Sequence, residues 1–417
     1  VIGVVAAPVL VFIYAPGFQA DGGRFDLAVE MLRFTFPYLF FVSLVALCSG
    51  VLNSYGRFGL PAFTPVLLNA VMIFFAAIIA PRFDAPGLVL AIGVFVAGFV
   101  QLLVQLPAMH RLGLLPKPRW DWAHDGVRRI ARLMLPGIFG SSVAQISLLL
   151  DTLIASFLMT GSIAWMYYAD RLVEFPMGVF SIALATVILP GLSSHHANES
   201  PQRFAATLDW ALRLSILIVT PAAVGLLMLA GPLTATIFGY GEFDARDVLM
   251  SSYALMAYSL GMLGFSMVKV LAPGYFARQD TRTPVRVGII ALSTNMLFNL
   301  AVVVPAHLNG FPVPHALLAL STGLSALLNA TLLYRGLRRQ GVYAPSRNLW
   351  RLLPQVAFAS AVMAGFLWWM SGDWSAWAAW GASARASQLA LCIGGGAGAY
   401  FLALWLAGAR PRDLKSL

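Results

Sequence analysis

Asp170, Arg171 and Glu174 stand within five residues of one another in the long apolar stretch between Trp165 and Pro190. A charge at the centre of a bilayer costs roughly 2.5–3.5 kcal/mol on insertion scales, so three together call for a protein-lined, wetted setting. The two carboxylates are four residues apart and share one helical face, while Arg171 points roughly 100° away. Carboxylates so placed can hold an arginine of another span or contact a cationic group. The rigid guanidinium fork of Arg171 matches the oxygens of a phosphate or pyrophosphate. The alternative is an internal ion-pair lock near the membrane face. Trp165, Tyr167 and Tyr168 supply an aromatic rim beside either.

Other polar residues interrupt apolar runs. Asp151, in SLLLDTLIASF, leaves three readings open: cation coordination, pairing across a bundle, or exposure to a cavity. Asn295 and Asn299, at i and i+4, can offer neutral oxygens to a monovalent cation beside Asp151, or serve as helix–helix hydrogen bonds. Lys269, Arg33 and Arg213 sit near span ends, where snorkelling to an interface explains them. In KVLAPGYFARQDTRTPVRV, Arg278, Arg282 and Arg286 recur every four residues across a Pro/Gly-broken turn and suit anionic headgroups or a phosphorylated substrate. Arg57 marks a similar turn, followed by Pro61 and Pro65, which either start a helix or let it bend. His195-His196 lack the spaced partners of a metal site. No Walker motif occurs, so any work across a membrane must draw on a gradient, the potential or removal of product.

Helices long enough to hold these residues dominate the chain. Of 417 residues, 59% are hydrophobic and 11% charged, well below the roughly 25% of soluble domains. Spans are expected at 1–15, 31–52, 62–80, 87–107, 134–159, 163–190, 210–237, 249–272, 286–306, 314–334, 352–371 and 388–408. The runs are too long, and lack the alternation, for a membrane barrel. Nineteen Lys and Arg, from Arg57 and Arg111 through Lys117, Arg119 and Arg278 to Arg412 and Lys415, fall in one set of loops. Four, Arg24, Arg82, Arg246 and Arg385, fall in the other. The positive-inside rule then puts both ends in the cytoplasm and assigns the net charge of +10 to inner loops rather than to nucleic-acid binding. Cys48 and Cys392 are read as small buried residues. Val1 opens directly in an apolar run, which reads as the tail of a helix. The expected organisation is an all-α polytopic protein with segments 1–112, 124–337 and a terminal helix pair, 348–408.

Several blocks resemble the MurJ (MviN) family, bacterial lipid II flippases of the multidrug/oligosaccharidyl-lipid/polysaccharide exporter superfamily. They are APGF (15–18), FPYLFFVSL (36–44), LNSYGRFGLPAFTPVLLN (52–69), the long run 145–193 that includes DTLIASFLMTGSIAWMYYADRLVEFPMGVF, and KVLAPGYFARQDTRTPV (269–285). The resemblance covers essentially the whole chain. It implies a two-lobed transporter fold of fourteen helices around a cationic cavity, with a final pair bordering a lipid groove that Trp368-Trp369 and Gly394-Gly395-Gly396 suit. Asp170, Arg171 and Glu174 match the ADRL-x-EFP motif of the family's eighth helix, as a gate or substrate contact. About 12 spans would then be present, the first two and the start of the third lying before residue 1. The implied activity is movement of undecaprenyl-pyrophosphate-linked peptidoglycan precursor across the cytoplasmic (inner) membrane by alternating access. The implied energy source is Na+ or the membrane potential, with Asp151, Asn295 and Asn299 as the cation candidates and no other cofactor. The implied partners are lipid II, membrane phospholipids and wall polymerases of the divisome or elongasome. Rival readings are an O-antigen-lipid flippase, a multidrug cation antiporter, and a non-transporting scaffold for wall enzymes.

Overall fold

The computed structural model describes residues 2–20, 22–114, 125–182, 184, 188–189, 191–194 and 200–410, in which helices predominate and no strand occurs. Lys117, Arg119, His195, His196, Arg412 and Lys415 lie outside them. Fifteen helices position the residues of interest: α1 (Ala7–Tyr14), α2 (Gly22–Thr35), α3 (Tyr38–Ser54), α4 (Gly59–Phe74), α5 (Pro86–Arg111), α6 (Asp125–Phe157), α7 (Ser162–Pro176), α8 (Pro201–Met228), α9 (Ala230–Ile237), α10 (Ala245–Phe276), α11 (Arg282–Phe298), α12 (Pro314–Arg339), α13 (Arg347–Ser371), α14 (Trp374–Ala379) and α15 (Ala382–Leu406).

Nine helical runs among the described residues are long and apolar enough to cross a membrane: Gly23–Ser54, Gly59–Arg82, Pro86–Arg111, Pro201–Met228, Ala245–Phe276, Arg282–Leu308, Pro314–Arg339, Arg347–Ser371 and Ala382–Leu406. Each overlaps an expected span. The three other expected spans, 1–15, 134–159 and 163–190, are largely helical over their described residues but are not among these nine. The helix at the start, α1, has eight residues, and the apolar helical stretch found in α6 among the described residues is Gln145–Phe157. The α7 run carries three charged residues, Asp170, Arg171 and Glu174, and continues past Pro176 as a π-turn, Met177–Ile182.

Two compact units divide the chain, Val1–Phe139 with Thr152–Phe157, and Gly140–Asp151 with Leu158–Leu417. In the first, buried amides are hydrogen-bonded between α3, α4 and α5, with Gln105 Oε1 left without a partner. Gln105 donates to the hydroxyls of Ser49 (2.9 Å) and Thr64 (2.8 Å), and Gln101 donates to the Thr64 carbonyl (3.0 Å). With no water available in lipid, such internal pairing is the condition for placing amides there at all.

The second unit is organised on α10, the most enclosed of its long helices. Its backbone meets that of α12 at Gly261 and Gly323, where a Cβ on Gly261 would fall on the Gly323 backbone. Gly264 makes a similar approach to Ala326 and Leu327. Small residues permit this contact because helices in lipid associate by close packing rather than by expelling water. The contact is tied further by the Tyr275 hydroxyl donating to the Leu333 carbonyl (2.7 Å). A second core joins α8 to α13 and α15 through Val356, Ala359, Cys392 and Tyr400. Gly395 and Gly396 abut Phe366 and Leu367 of α13, so these glycines serve helix packing, while Trp368 and Trp369 project outward at 73% and 75% exposure.

Forcing a side chain between α10 and α12 should overpack the unit. Gly261→Leu is expected to cost about 1–3 kcal/mol, whereas Gly398→Ala, with open space at its Cβ position, should be neutral. Thermal unfolding of the two variants in detergent checks this, and equal midpoints would contradict it.

Candidate functional site

Asp151, Asn295 and Asn299, which the sequence left as loosely related candidates, form one buried cluster in the second unit. The Asn299 amide donates to Asp151 Oδ1 (3.2 Å) and to Asn295 Oδ1 (3.2 Å). Thr322 of α12 donates to Asp151 Oδ2 (3.1 Å), and Asn295 donates to the Ser321 hydroxyl (3.1 Å). Three helices, α6, α11 and α12, thus converge on one carboxylate. Local structure aims the pieces. Gly323, at the crossing with α10, is adjacent to Thr322, and a π-turn, Asn299–Val303, begins at Asn299 ahead of Pro305. A π-turn accommodates the ladder that proline cannot complete, and such turns recur at functional positions.

The donor set of this cluster is all oxygen: a carboxylate, two carboxamide oxygens and hydroxyls. Asn299 Oδ1 is buried without a hydrogen-bond partner. A buried, unpartnered amide oxygen beside a carboxylate fits a hard monovalent cation, which takes oxygen ligands. The arrangement departs from the His, Cys and multi-carboxylate sets that hold transition metals.

The charged turn of α7 is built differently. Arg171 pairs with Glu174 at 2.7 Å and with Asp170 at 3.5 Å, and it lies over the Tyr167 ring at 5.0 Å. The arginine that these carboxylates hold is therefore the one in their own turn. Roughly half of each side chain is exposed, 48% for Arg171 and 57% for Glu174. An exposed pair is worth only about 0–1 kcal/mol, so a competing anion can break it at little cost. Lys269, half-buried on α10, lies within electrostatic reach of Glu174. The buried Tyr258 is in reach of both Asp170 and Asp151.

The basic residues lie in turns and at helix starts. Arg278 donates to Gln340 (2.7 Å), while Arg282 and Arg286 are exposed at the start of α11. Asp280 accepts from the Thr283 hydroxyl (2.7 Å) and amide (3.0 Å), which holds its carboxyl below the usual carboxylate range. Arg57 is exposed in the turn between α3 and α4, in the first unit.

The profile of the lipid II flippase MurJ family matches residues 1–384. A relative from Vibrio cholerae, named "Probable lipid II flippase MurJ", is 46% identical over 422 residues, covering 100% of this chain and 79% of its own length. The chain belongs to the MurJ family. Another relative, "Lipid II flippase MurJ" of Burkholderia cenocepacia, is 42% identical over 98% of this chain and 79% of its own. The fold agrees with a solved structure, "Lipid II flippase MurJ, inward closed conformation", at a TM-score of 0.75 and 21% identity. That match covers 97% of this chain and 80% of the other. As a MurJ-family member the protein is a multi-pass membrane transporter.

Two clusters in this MurJ-family chain escaped sequence reasoning. Arg213 was expected to snorkel outward; instead it is 5% exposed and pairs with Asp209 at 3.0 Å. Asp209 also accepts from the Tyr343 hydroxyl (2.9 Å) and from the Ser346 amide (3.0 Å) and hydroxyl (2.7 Å). Burial, and then the Asp209 charge, push the Tyr343 hydroxyl up, so it stays a donor. This knot fastens the 340–346 connection to α8, and the i,i+4 spacing of Asp209 and Arg213 was its only local sign. The second cluster centres on Trp165, whose indole donates to Asp247 (2.6 Å) and whose ring lies 5.0 Å from His315. Asp247 and Asp244 form the capping box that starts α10.

Asp209→Ala would leave Arg213 buried beside a vacated anion. The expected loss is about 3–5 kcal/mol, read as a lowered unfolding midpoint in detergent. Asp209→Ala combined with Arg213→Met should recover much of it, and a midpoint equal to that of the unaltered protein in the single variant would contradict the assignment.

Proposed function

We propose that this protein moves lipid II, the undecaprenyl-pyrophosphate-linked peptidoglycan precursor, from the inner to the outer leaflet of the bacterial inner membrane. The observation that carries the reading is membership of the MurJ family across residues 1–384. In the proposed cycle both ends of the chain face the cytoplasm, the side to which the basic loops assign them. The two leaflets gain access to the substrate alternately, and wall polymerases draw the product away.

The chemistry of the α7 turn supports a substrate or gate role for Arg171. Its guanidinium already holds two carboxylates in a partly solvated pair. A pyrophosphate offers the same fork of oxygens with more charge, so it can replace Glu174 as the partner. Such an exchange is the differential contact a ligand needs in order to shift a conformational equilibrium. Arg278, Arg282 and Arg286, on the basic side, are suited to meeting the anionic headgroup first.

The energy source in this proposal is Na+ held by Asp151, Asn295, Asn299 and Thr322. A bound cation neutralises the carboxylate and gives the Asn299 oxygen a partner, and it would tie α6 to α11 and α12. The membrane potential would act on the same charge.

In cells depleted of their own flippase, unaltered protein should deliver lipid II to the outer leaflet. Arg171→Ala at matched abundance should reduce delivery by about tenfold or more, as expected when a charge-assisted bidentate contact is lost. Unchanged delivery in the variant would reduce the turn to architecture, and absence of delivery by the unaltered protein would favour the scaffold. Separately, NaCl in place of choline chloride should raise the unfolding midpoint of unaltered protein and not of Asp151→Asn; equal response of both would remove Na+ from the cluster.

A further inference from the structure

Trp165 is buried near the start of α7, whereas a tryptophan near the end of a span ordinarily sits at the membrane surface. Its indole N–H donates to Asp247 Oδ1 of α10 at 2.6 Å, and its ring lies 5.0 Å from that of His315, in the first turn of α12. Both partners are themselves fixed. Asp247 accepts from the Asp244 amide and donates its own amide to the Asp244 carboxylate, closing the capping box of α10. His315 is fully buried, and its Nε2 donates to the Met250 carbonyl (2.9 Å). Gly161, the left-handed residue ahead of α7, lies so close to the indole that a Cβ there would strike the ring. Trp165 thus ties α7 to α10 and α12 at the end of α10 opposite Arg278.

The buried residues of α7 are Ser162, Trp165, Met166, Ala169 and Val173, one stripe at helical spacing. At 3.6 residues per turn, Asp170, Glu174 and Arg171 fall roughly 140°, 180° and 240° round the helix from Trp165. The charged turn therefore occupies the face opposite the seated one. Turning α7 about its axis would unseat the indole and re-aim all three charged groups together. Met166, Ala169 and Val173 pack without direction, and the Ser162 hydroxyl donates within its own turn, to the Met159 carbonyl. Beyond Pro176 the helix passes into the π-turn Met177–Ile182. The directional contact of the buried stripe with α10 is the Trp165 hydrogen bond.

We propose that Trp165 is a positioning residue for transport: its indole, seated on Asp247 and His315, fixes the rotation of α7 and so aims the Arg171 guanidinium at the substrate's pyrophosphate. Trp165 touches no substrate and acts through Arg171, so the proposal rests on the reading of Arg171 as a substrate contact. A guanidinium fork needs the right angle as well as the right distance to meet two oxygens at once, which makes the rotation of its helix decisive. Both seats stand in the first turns of their helices, so a shift at the start of α10 or α12 is passed to Arg171 along α7.

The test is a double-mutant cycle on lipid II delivery in vesicles, at matched protein amount and with unfolding midpoints recorded. It compares unaltered protein, Trp165→Phe, Arg171→Ala and the double variant. Phenylalanine keeps a ring against His315 and removes the N–H. Trp165→Phe should slow delivery by about tenfold, as expected when a hydrogen bond to a charged group is lost. In the Arg171→Ala background it should add less than about twofold, because the group it positions is gone. Asp247→Asn, which keeps an oxygen for the indole, should deliver faster than Asp247→Ala. In parallel, protein carrying isotopically labelled tryptophan is followed by NMR, with the Trp165 indole resonance assigned from its loss in Trp165→Phe. Lipid II should shift that resonance in unaltered protein and leave it in place in Arg171→Ala. Trp165→Tyr replaces Trp165→Phe in both arms if the latter does not fold. Delivery by Trp165→Phe equal to that of unaltered protein, losses that multiply in the double variant, or a resonance that lipid II does not move would overturn the positioning role while the Arg171 contact stands. Arg171→Ala that delivers like unaltered protein would remove the contact, and the positioning role with it.

Discussion

A carboxylate enclosed by apolar helices must be given partners, and Asp151 obtains them from two other helices. Asn299, in the π-turn that follows α11, and Thr322 of α12 both donate to it. That requirement sets the spacing of the surrounding unit. Thr322 reaches Asp151 from the turn in which Gly323 lets the α12 backbone touch that of α10. Asn299 presents its amide from the first residue of a π-turn. Removing either local device would leave the carboxylate short of a donor in a medium that cannot supply water. The polar centre and the close helix crossing are therefore one structural solution, in which each part makes the other tolerable.

The charged groups of the second unit separate by exposure into two kinds. Asp209 and Arg213 are buried, and the carboxylate is further satisfied by Tyr343 and Ser346. Breaking such a pair strands a charge, which suits a permanent fastening. Arg171 with Asp170 and Glu174 is half exposed. Its partners can be exchanged with solvent ions or a phosphorylated ligand at low cost, which suits a contact that must form and break during transport. Both groups pair an arginine with carboxylate. Their surroundings decide what each can do.

Hydropathy made the nine long spans legible, because a bilayer imposes one length and one polarity on any helix that crosses it. The charged turn of α7 and the polar members of α11 were legible for the same reason, as exceptions to that polarity. What could not be read was partnership. Thr322 lies far along the chain from Asp151 and has the ordinary look of a helix-packing threonine, so its role emerged only when α12 folded against α6 and α11. Arg213 was misread because an arginine near a span end has two stable solutions, an interface or a buried acid, and the choice depends on Tyr343 and Ser346 enclosing Asp209 from a distant loop. The packing role of Gly395 and Gly396 likewise depends on Phe366 and Leu367, one helix away.

The central claim, that this protein translocates lipid II, is tested most directly with purified protein in vesicles of defined composition. Lipid II labelled in its headgroup is placed in the inner leaflet, and its arrival in the outer leaflet is followed with a quencher that cannot cross the membrane. Movement of lipid II in protein-containing vesicles, with a labelled zwitterionic phospholipid left in place, is the predicted result. Lipid II that stays in its leaflet, or both lipids moving at one rate, would contradict the claim.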